Sequence, residues 1–328
     1  VRIAVAGPLG RDSFADNVIH QLCSDGHEVA ALGAARRPLG IKKANGLVSV
    51  VADHYLPLDA RRQAPMRKAI RQFRPHALIT VDRRLHASTV SAAKECGARV
   101  ALWFPDAVGT MGLHDMFTNG YDRIFLKNPV LTQWLRDVQG LPVRFLPEAG
   151  NPRWHRSGLP YGTRPVIVMA GNVHPTRAVL LQRMIRAGLP LELHGSGIPS
   201  WLNVPELRRA HTGRYLTAAD KGDTFRSARI VLNNLHPAEY AGTNCRLFEG
   251  AMSGGLVMTE LRPGLEDLFL PGKEVAAFST FDELVDQCRW LLDDPENGRP
   301  IADAGRARAL ADHTYSLRLG DLLDELLG

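Results

Sequence analysis

Two kinds of segment take turns along the chain. Short apolar runs stand at residues 3–6, 28–32, 47–51, 77–81, 99–104, 124–127, 143–146, 166–170, 191–194, 230–232 and 256–259. Between most of them, apolar residues return every three or four positions, as at 16–24, 61–74, 88–96, 128–137, 177–187, 218–227, 245–252, 280–292, 301–311 and 317–327. The first kind reads as strands buried on both faces, the second as helices laid over them. Residues 212–215 read as a further short strand. Strand and helix alternate in both halves, which predicts an α/β protein with two doubly wound parallel sheets. Pro147, Gly150, Pro152, Gly158, Pro160 and Pro165 punctuate a stretch that has no apolar period. A linker is expected at 149–165, between a first domain at 1–148 and a second at 166–314.

Residues 232–260 hold the densest polar signals. They read as the end of a buried strand, a Gly-containing loop, a helix at 245–252 and another buried strand. Thr243 and Asn244 suit the helix N-cap, and Ser253-Gly254-Gly255 ends the helix. A loop feeding a helix between two buried strands turns free N–H groups and the positive end of the dipole toward an anion. Arg246 adds a cation in the first turn, with a fork that suits phosphate. Glu249, three residues on, shares its face. A carboxylate beside a phosphate site can accept the hydroxyls of a ribose. The same spacing also allows Arg246 and Glu249 to pair with each other across one helical turn.

The string NCRLFEGAMSGGLVMTE, Asn244 to Glu260, resembles the signature of CgeB-like glycosyltransferases, within the GT-B group of sugar transferases. The likeness covers about residues 166–325. It implies GT-B architecture: two Rossmann-like domains facing across a cleft, the first on the acceptor side and the second binding a nucleotide-diphosphate sugar. It implies transfer of the sugar to a hydroxyl acceptor, without metal or cofactor, from a donor of UDP, GDP or dTDP type. In the turn that begins Gly171-Asn172, Arg177 resembles the family's phosphate-facing arginine. The loop at Gly195 would border the base, and Asn244, Arg246 and Glu249 would hold the rest of the nucleotide. The last helix, about 315–328, would return to the first domain. Asp106 follows a strand where the family places an acidic or His residue, and is the candidate catalytic carboxylate. It would be the general base of an inverting enzyme or would hold the donor sugar in a retaining one. Gly7 and Gly10, in the first turn, would face the cleft. The wider retaining group carries a second acid eight positions before the first; here that position is Ala241, and the nearest acid is Glu239. Glu239, His236 or the backbone at Ala241-Gly242 would then contact the transferred sugar.

Composition narrows the compartment. Hydrophobic residues make up 45% and charged residues 23%, as in a soluble globular protein. No run is long enough to span a membrane and no leader precedes residue 3, so a cytoplasmic protein is expected. The 4 cysteines, Cys23, Cys96, Cys245 and Cys288, form no CxxC pair and read as reduced thiols. His194 has no second ligand at zinc spacing.

Charge opens a second question. The net +6 is concentrated between Arg36 and Arg99, where 14 basic residues face 4 acidic ones. That excess suits an acidic partner such as an anionic membrane surface or DNA. The first Gly turn lacks GxGxxG, which argues against a dinucleotide site. Beside the transferase, three readings stay open: a nucleotide-sugar epimerase, a non-catalytic nucleotide-sugar or polyanion-binding module, and a transferase acting on a modified DNA base.

Overall fold

The computed structural model describes residues 1–35, 56–110 and 115–328. Most of the basic loop expected at 33–45 and the strand expected at 47–51 lie outside them. The chain divides into two compact units, Val1–Pro147 with Tyr315–Gly328, and Glu148–Thr314.

The first unit has six strands: β1 (Arg2–Ala6), β2 (Glu28–Gly33), β3 (Ala77–Thr80), β4 (Arg99–Phe104), β5 (Arg123–Leu126) and β6 (Val143–Phe145). All pair in parallel, in the order β2-β1-β3-β4-β5-β6. Helices α1 (Phe14–Ser24), α2 (Leu56–Arg62), α3 (Ala64–Phe73), α4 (Ala87–Glu95) and α5 (Pro129–Asp137) cross between them. Ser13 caps α1 by accepting from the Asp16 N–H, and Asn128 caps α5 just before Pro129. The single helix expected at 61–74 is two. Pro65 has no N–H to return to the preceding turn, so a new helix starts there. Gln63, buried at the break, replaces the lost order with side-chain bonds to Arg84 O (2.8 Å), the His86 N–H (3.0 Å) and Thr89 Oγ1 (3.0 Å).

Helix α12 (Tyr315–Leu327) belongs to this unit although the whole second unit precedes it in sequence. The rings of Phe14, Trp103 and Tyr315 meet edge-on or tilted, 4.7 to 6.0 Å apart, and Trp103 Nε1 donates to Leu146 O. Glu325 receives both Arg123 (2.8 Å) and Arg144 (3.1 Å).

The second unit has strands β7 (Arg164–Ala170), β8 (Leu191–His194), β9 (Ala228–Asn233), β10 (Val257–Glu260) and β11 (Ala276–Phe278), in parallel order β11-β10-β9-β7-β8. Its helices are α6 (Pro175–Arg186), α7 (Pro205–Ala210), α8 (Ala218–Ser227), α9 (Cys245–Met252), α10 (Phe281–Asp293) and α11 (Pro295–Asp312). The strand expected at 212–215 is only a bridge of His211 to Leu193. Helix α11 starts six residues earlier than expected at 301, because Asp294 caps it ahead of Pro295 and Pro300 is taken inside it. One apolar layer, with Leu181, Met184, Leu284 and Leu291, covers one face of the sheet. The other face is covered by Phe225, Phe248, Met252 and Phe269. Each such buried side chain contributes roughly 1.5–3 kcal/mol over its exposed state.

The stretch at 149–165, expected as a linker, is packed into the second unit. Gly150 donates its N–H to His313 O at 3.0 Å, and Asn151, His155, Ser157 and Tyr161 are buried. In each sheet the chain starts in the middle and winds first to one side, then to the other. The switch points fall between β1 and β3 and between β7 and β9. Doubly wound sheets bind ligands outside the carboxyl ends of strands at such a point.

Candidate functional site

A pocket opens at the switch point of the second sheet. It is lined by Gly171 after β7, Gly195 after β8, Tyr215 and Lys221, and Cys245, Arg246 and Glu249 on α9. The two glycines hold the turns together. Both have φ of +139°, which residues with a Cβ rarely adopt, and a Cβ on Gly195 would lie 2.6 Å from Gly171 O. A Cβ on Gly171 would collide with Arg246 Nη2 and stand 3.5 Å from Arg177 Nη1.

Two guanidinium groups therefore converge on one glycine. Arg246 starts α9, whose cap Asn244 accepts the Arg246 N–H at 3.1 Å, and its Nη1 donates to buried Asn233 Oδ1 at 3.1 Å. Arg177, on α6, is buried and donates to Asn172 O and to Asn234 Oδ1 and O at 2.5 to 3.0 Å. Burial, and after it the charge of Arg246, pushes the Arg177 guanidinium down to about 9; Glu239 and Glu260 act the other way. Two like charges this close are a standing invitation to an anion.

Glu249 and Arg246 do not spend their charges on each other. Glu249, buried on the same helix, accepts Lys221 Nζ at 2.6 Å, while Arg246 is taken by Asn233. His155 Nε2 lies 3.8 Å from Glu249 Oε1. Cys245 has its thiol pushed up by burial, then by Glu249 and Glu148, so it is no nucleophile at neutral pH. His194 is held on both ring nitrogens, by Glu192 (2.7 Å) and Thr212 (2.9 Å), a structural role.

Beside the arginines, the rings of His174 and His236 meet edge-on at 4.7 Å. His174 caps α6, accepting the Arg177 N–H. Burial, then Arg177 and His236, pushes it down to about 4. A histidine with its folded value depressed contributes stability that is complete above about 6.5 and falls as pH drops toward 4, because the unfolded chain takes up the proton first. Urea titrations stepped through that window are expected to show a shallower pH dependence for His174→Gln than for the wild type. Superimposable profiles would assign the slope to other groups. Glu239, buried in the loop after β9, opposes the charge of both Arg177 and His174.

The remaining candidates stand in the first unit. Asp106 is exposed and lines a pocket of about 450 Å³ with Pro8, Ala34, Asp82, Arg83 and Phe104, at the switch point of the first sheet. Gly7 does not line it and is required by packing: a Cβ there would run into Val81 and Ala15. Gly10 O accepts the Ser13 N–H ahead of α1. In the described part of the basic region, Arg71 pairs with Glu95 (3.4 Å), Arg99 with Asp122 (3.6 Å), and Arg67 donates to Ala60 O (2.7 Å). Among the described residues no helix is long and apolar enough to cross a membrane.

Sequence reasoning missed Lys221, Tyr215 and His174. Lys221 lies 28 positions from its partner, and Tyr215 sits in a loop without motif. His174 alone left a signal, as the residue before Pro175 at a helix start.

Residues 177–324 match the family described as glycosyl transferase-like. No curated protein matches the chain in sequence. Solved structures share its fold over nearly the full length. Sucrose-phosphate synthase (tll1590) from Thermosynechococcus elongatus superposes with a TM-score of 0.69 at 13% identity, covering 99% of each chain. Anabaena Alr3699/HepE, in complex with UDP-glucose, gives 0.68 at 11% identity, covering 99% of this chain and 100% of its own. The lipopolysaccharide outer core galactosyltransferase WaaB gives 0.61 at 12% identity, covering 100% and 99%. The architecture is that of GT-B glycosyltransferases.

Proposed function

We propose, from the match of residues 177–324 to the glycosyl transferase-like family and from the GT-B fold, that the protein transfers a glycosyl group from a nucleoside-diphosphate sugar to a hydroxyl acceptor. The observation that carries the reading is the convergence of Arg246 and Arg177 on Gly171, with Glu249 in the same pocket. In this reading the diphosphate sits against Gly171, between the two guanidiniums and the N-terminus of α9. Breaking the glycosidic bond leaves negative charge on that diphosphate, and fixed cations placed there beforehand stabilise it without reorganisation. They meet the charge with protein groups, so no metal is required in the proposed step. Glu249 accepts ribose hydroxyl, and Tyr215, 69% exposed at the rim, offers a face to the base. HepE, which shares the fold, is a complex with UDP-glucose, and a uridine donor is the first to test here.

The acceptor hydroxyl is assigned to Asp106 in the first unit's own pocket. The transferred sugar falls to Glu239, with His174 and His236 beside it. A thermal-shift panel of UDP, GDP, dTDP, CDP and ADP with their sugar conjugates, in EDTA and in magnesium, tests the reading. One nucleotide family is expected to raise the midpoint equally in both, by about 2.7 kcal/mol of linkage at a hundredfold excess over Kd. No shift with any of them overturns the donor site; a shift only with magnesium overturns the metal-free step.

A further inference from the structure

We propose that Lys221 is a positioning residue that makes Glu249 a one-oxygen reader of the donor ribose, so that the site selects ribonucleoside over deoxyribonucleoside diphosphates; the inference rests on the donor site proposed above. Lys221 comes from α8, a different element from the loop and helix that carry the phosphate-facing groups. Its Nζ lies 2.6 Å from Glu249 Oε1, and the two side chains are 12% and 10% exposed. Both line the same pocket. A second donor approaches the same oxygen. His155 Nδ1 accepts the Asn151 N–H at 3.1 Å, which places the ring proton on Nε2, 3.8 Å from Oε1.

A carboxylate offers lone pairs on both oxygens and, left mobile, spreads them over many orientations, of which only a few meet a ribose hydroxyl. Pinned through Oε1, Glu249 presents Oε2 in a single orientation. The pair is buried, so the ammonium is not a solvated surface charge that happens to rest there, and an ion pair held in such a place is retained only with close geometry. Arg246 and Arg177 are bound by Asn233, Asn172 and Asn234 and need no help from Lys221 to face a diphosphate. The geometry thus divides the pocket. Arginines take the phosphates; Lys221 acts through Glu249 on the sugar ring of the nucleoside.

Calorimetry of the full chain with UDP, GDP and ADP, each against its 2′-deoxy and 3′-deoxy form, with dTDP and with inorganic pyrophosphate, tests this. Wild type is expected to bind the best ribonucleotide at least roughly tenfold more tightly than one of its deoxy forms, the worth of a hydrogen bond to a charged group. In Lys221→Met that ratio is expected to fall below about threefold while pyrophosphate affinity stays within about threefold of wild type. Lys221→Gln keeps an N–H donor for Oε1 and is expected to retain most of the discrimination. Four results overturn the proposal: an unchanged ratio in Lys221→Met, a loss of discrimination in Lys221→Gln equal to that of a ribose-blind site, an equal loss of UDP and pyrophosphate affinity in Lys221→Met, or a wild-type preference for dTDP over UDP. In each of these the donor site itself survives. Absence of binding by every diphosphate in wild type removes the donor site and this inference with it.

Discussion

Glu249→Ala is expected to cut donor turnover at least 100-fold and to lower the thermal midpoint. Both effects come from one contact. Glu249 is buried against Lys221 at 2.6 Å, and removing one partner of a buried pair leaves the other charge uncompensated, at about 3–5 kcal/mol. The loss of turnover comes from the ribose, whose hydroxyl has no acceptor once the carboxylate is gone; a charge-assisted hydrogen bond is worth about 1.5–3 kcal/mol, and a loosened donor adds misorientation at the bond being broken. Glu249→Gln separates the effects. It keeps a side-chain oxygen for Lys221 but not the opposite charge, and is expected to recover part of the stability lost in Glu249→Ala while turnover stays low. Release of nucleoside diphosphate, followed beside the melting curve for both variants, checks the pair. Wild-type turnover in Glu249→Ala would remove Glu249 from the site.

Gly171→Ala is the second large effect. Its φ of +139° is open to glycine and strained for alanine, a cost of about 1–3 kcal/mol. The added methyl would also displace Arg246 Nη2. Arg246 is then expected to leave Asn233, and nucleoside-diphosphate affinity to fall roughly tenfold or more, the worth of one charge-assisted contact. Gly158→Ala is the control. It sits in the same unit with an ordinary φ and open space around it, so midpoint and affinity are both expected within error of wild type. Calorimetric Kd values for the two variants decide the matter; equal affinity in Gly171→Ala would move the diphosphate away from that turn.

The elements were legible where local chemistry sets them. Asn244 caps the helix it is expected to cap, because a short polar side chain before an apolar period has few other uses. The parallel sheets followed from apolar runs flanked by helices. What local pattern could not carry was competition between prolines. Pro65 opens a new helix although α2 runs up to Arg62, while Pro300 is absorbed inside α11. In the site, the arginines and Glu249 stood out because their neighbours in sequence share their helix or turn. Their partners did not. Asn233 meets Arg246 across a turn of chain, Lys221 meets Glu249 from another helix, and the spacing that suggested an Arg246–Glu249 pair knew of neither.

The closing contact of α12 with Phe14 and Trp103 also orders events during synthesis. Every residue of Glu148–Thr314 must be polymerised before Tyr315 reaches the ribosome's exit. Domains fold as units while the chain is still growing, so the second unit, closed on itself by the bridge of Gly150 to Thr314, is complete while the first still waits with an aromatic face uncovered. A nascent chain stalled once Thr314 has emerged but before α12 has would carry a closed second unit and an unfinished first one, and the latter is where a chaperone would find its grip.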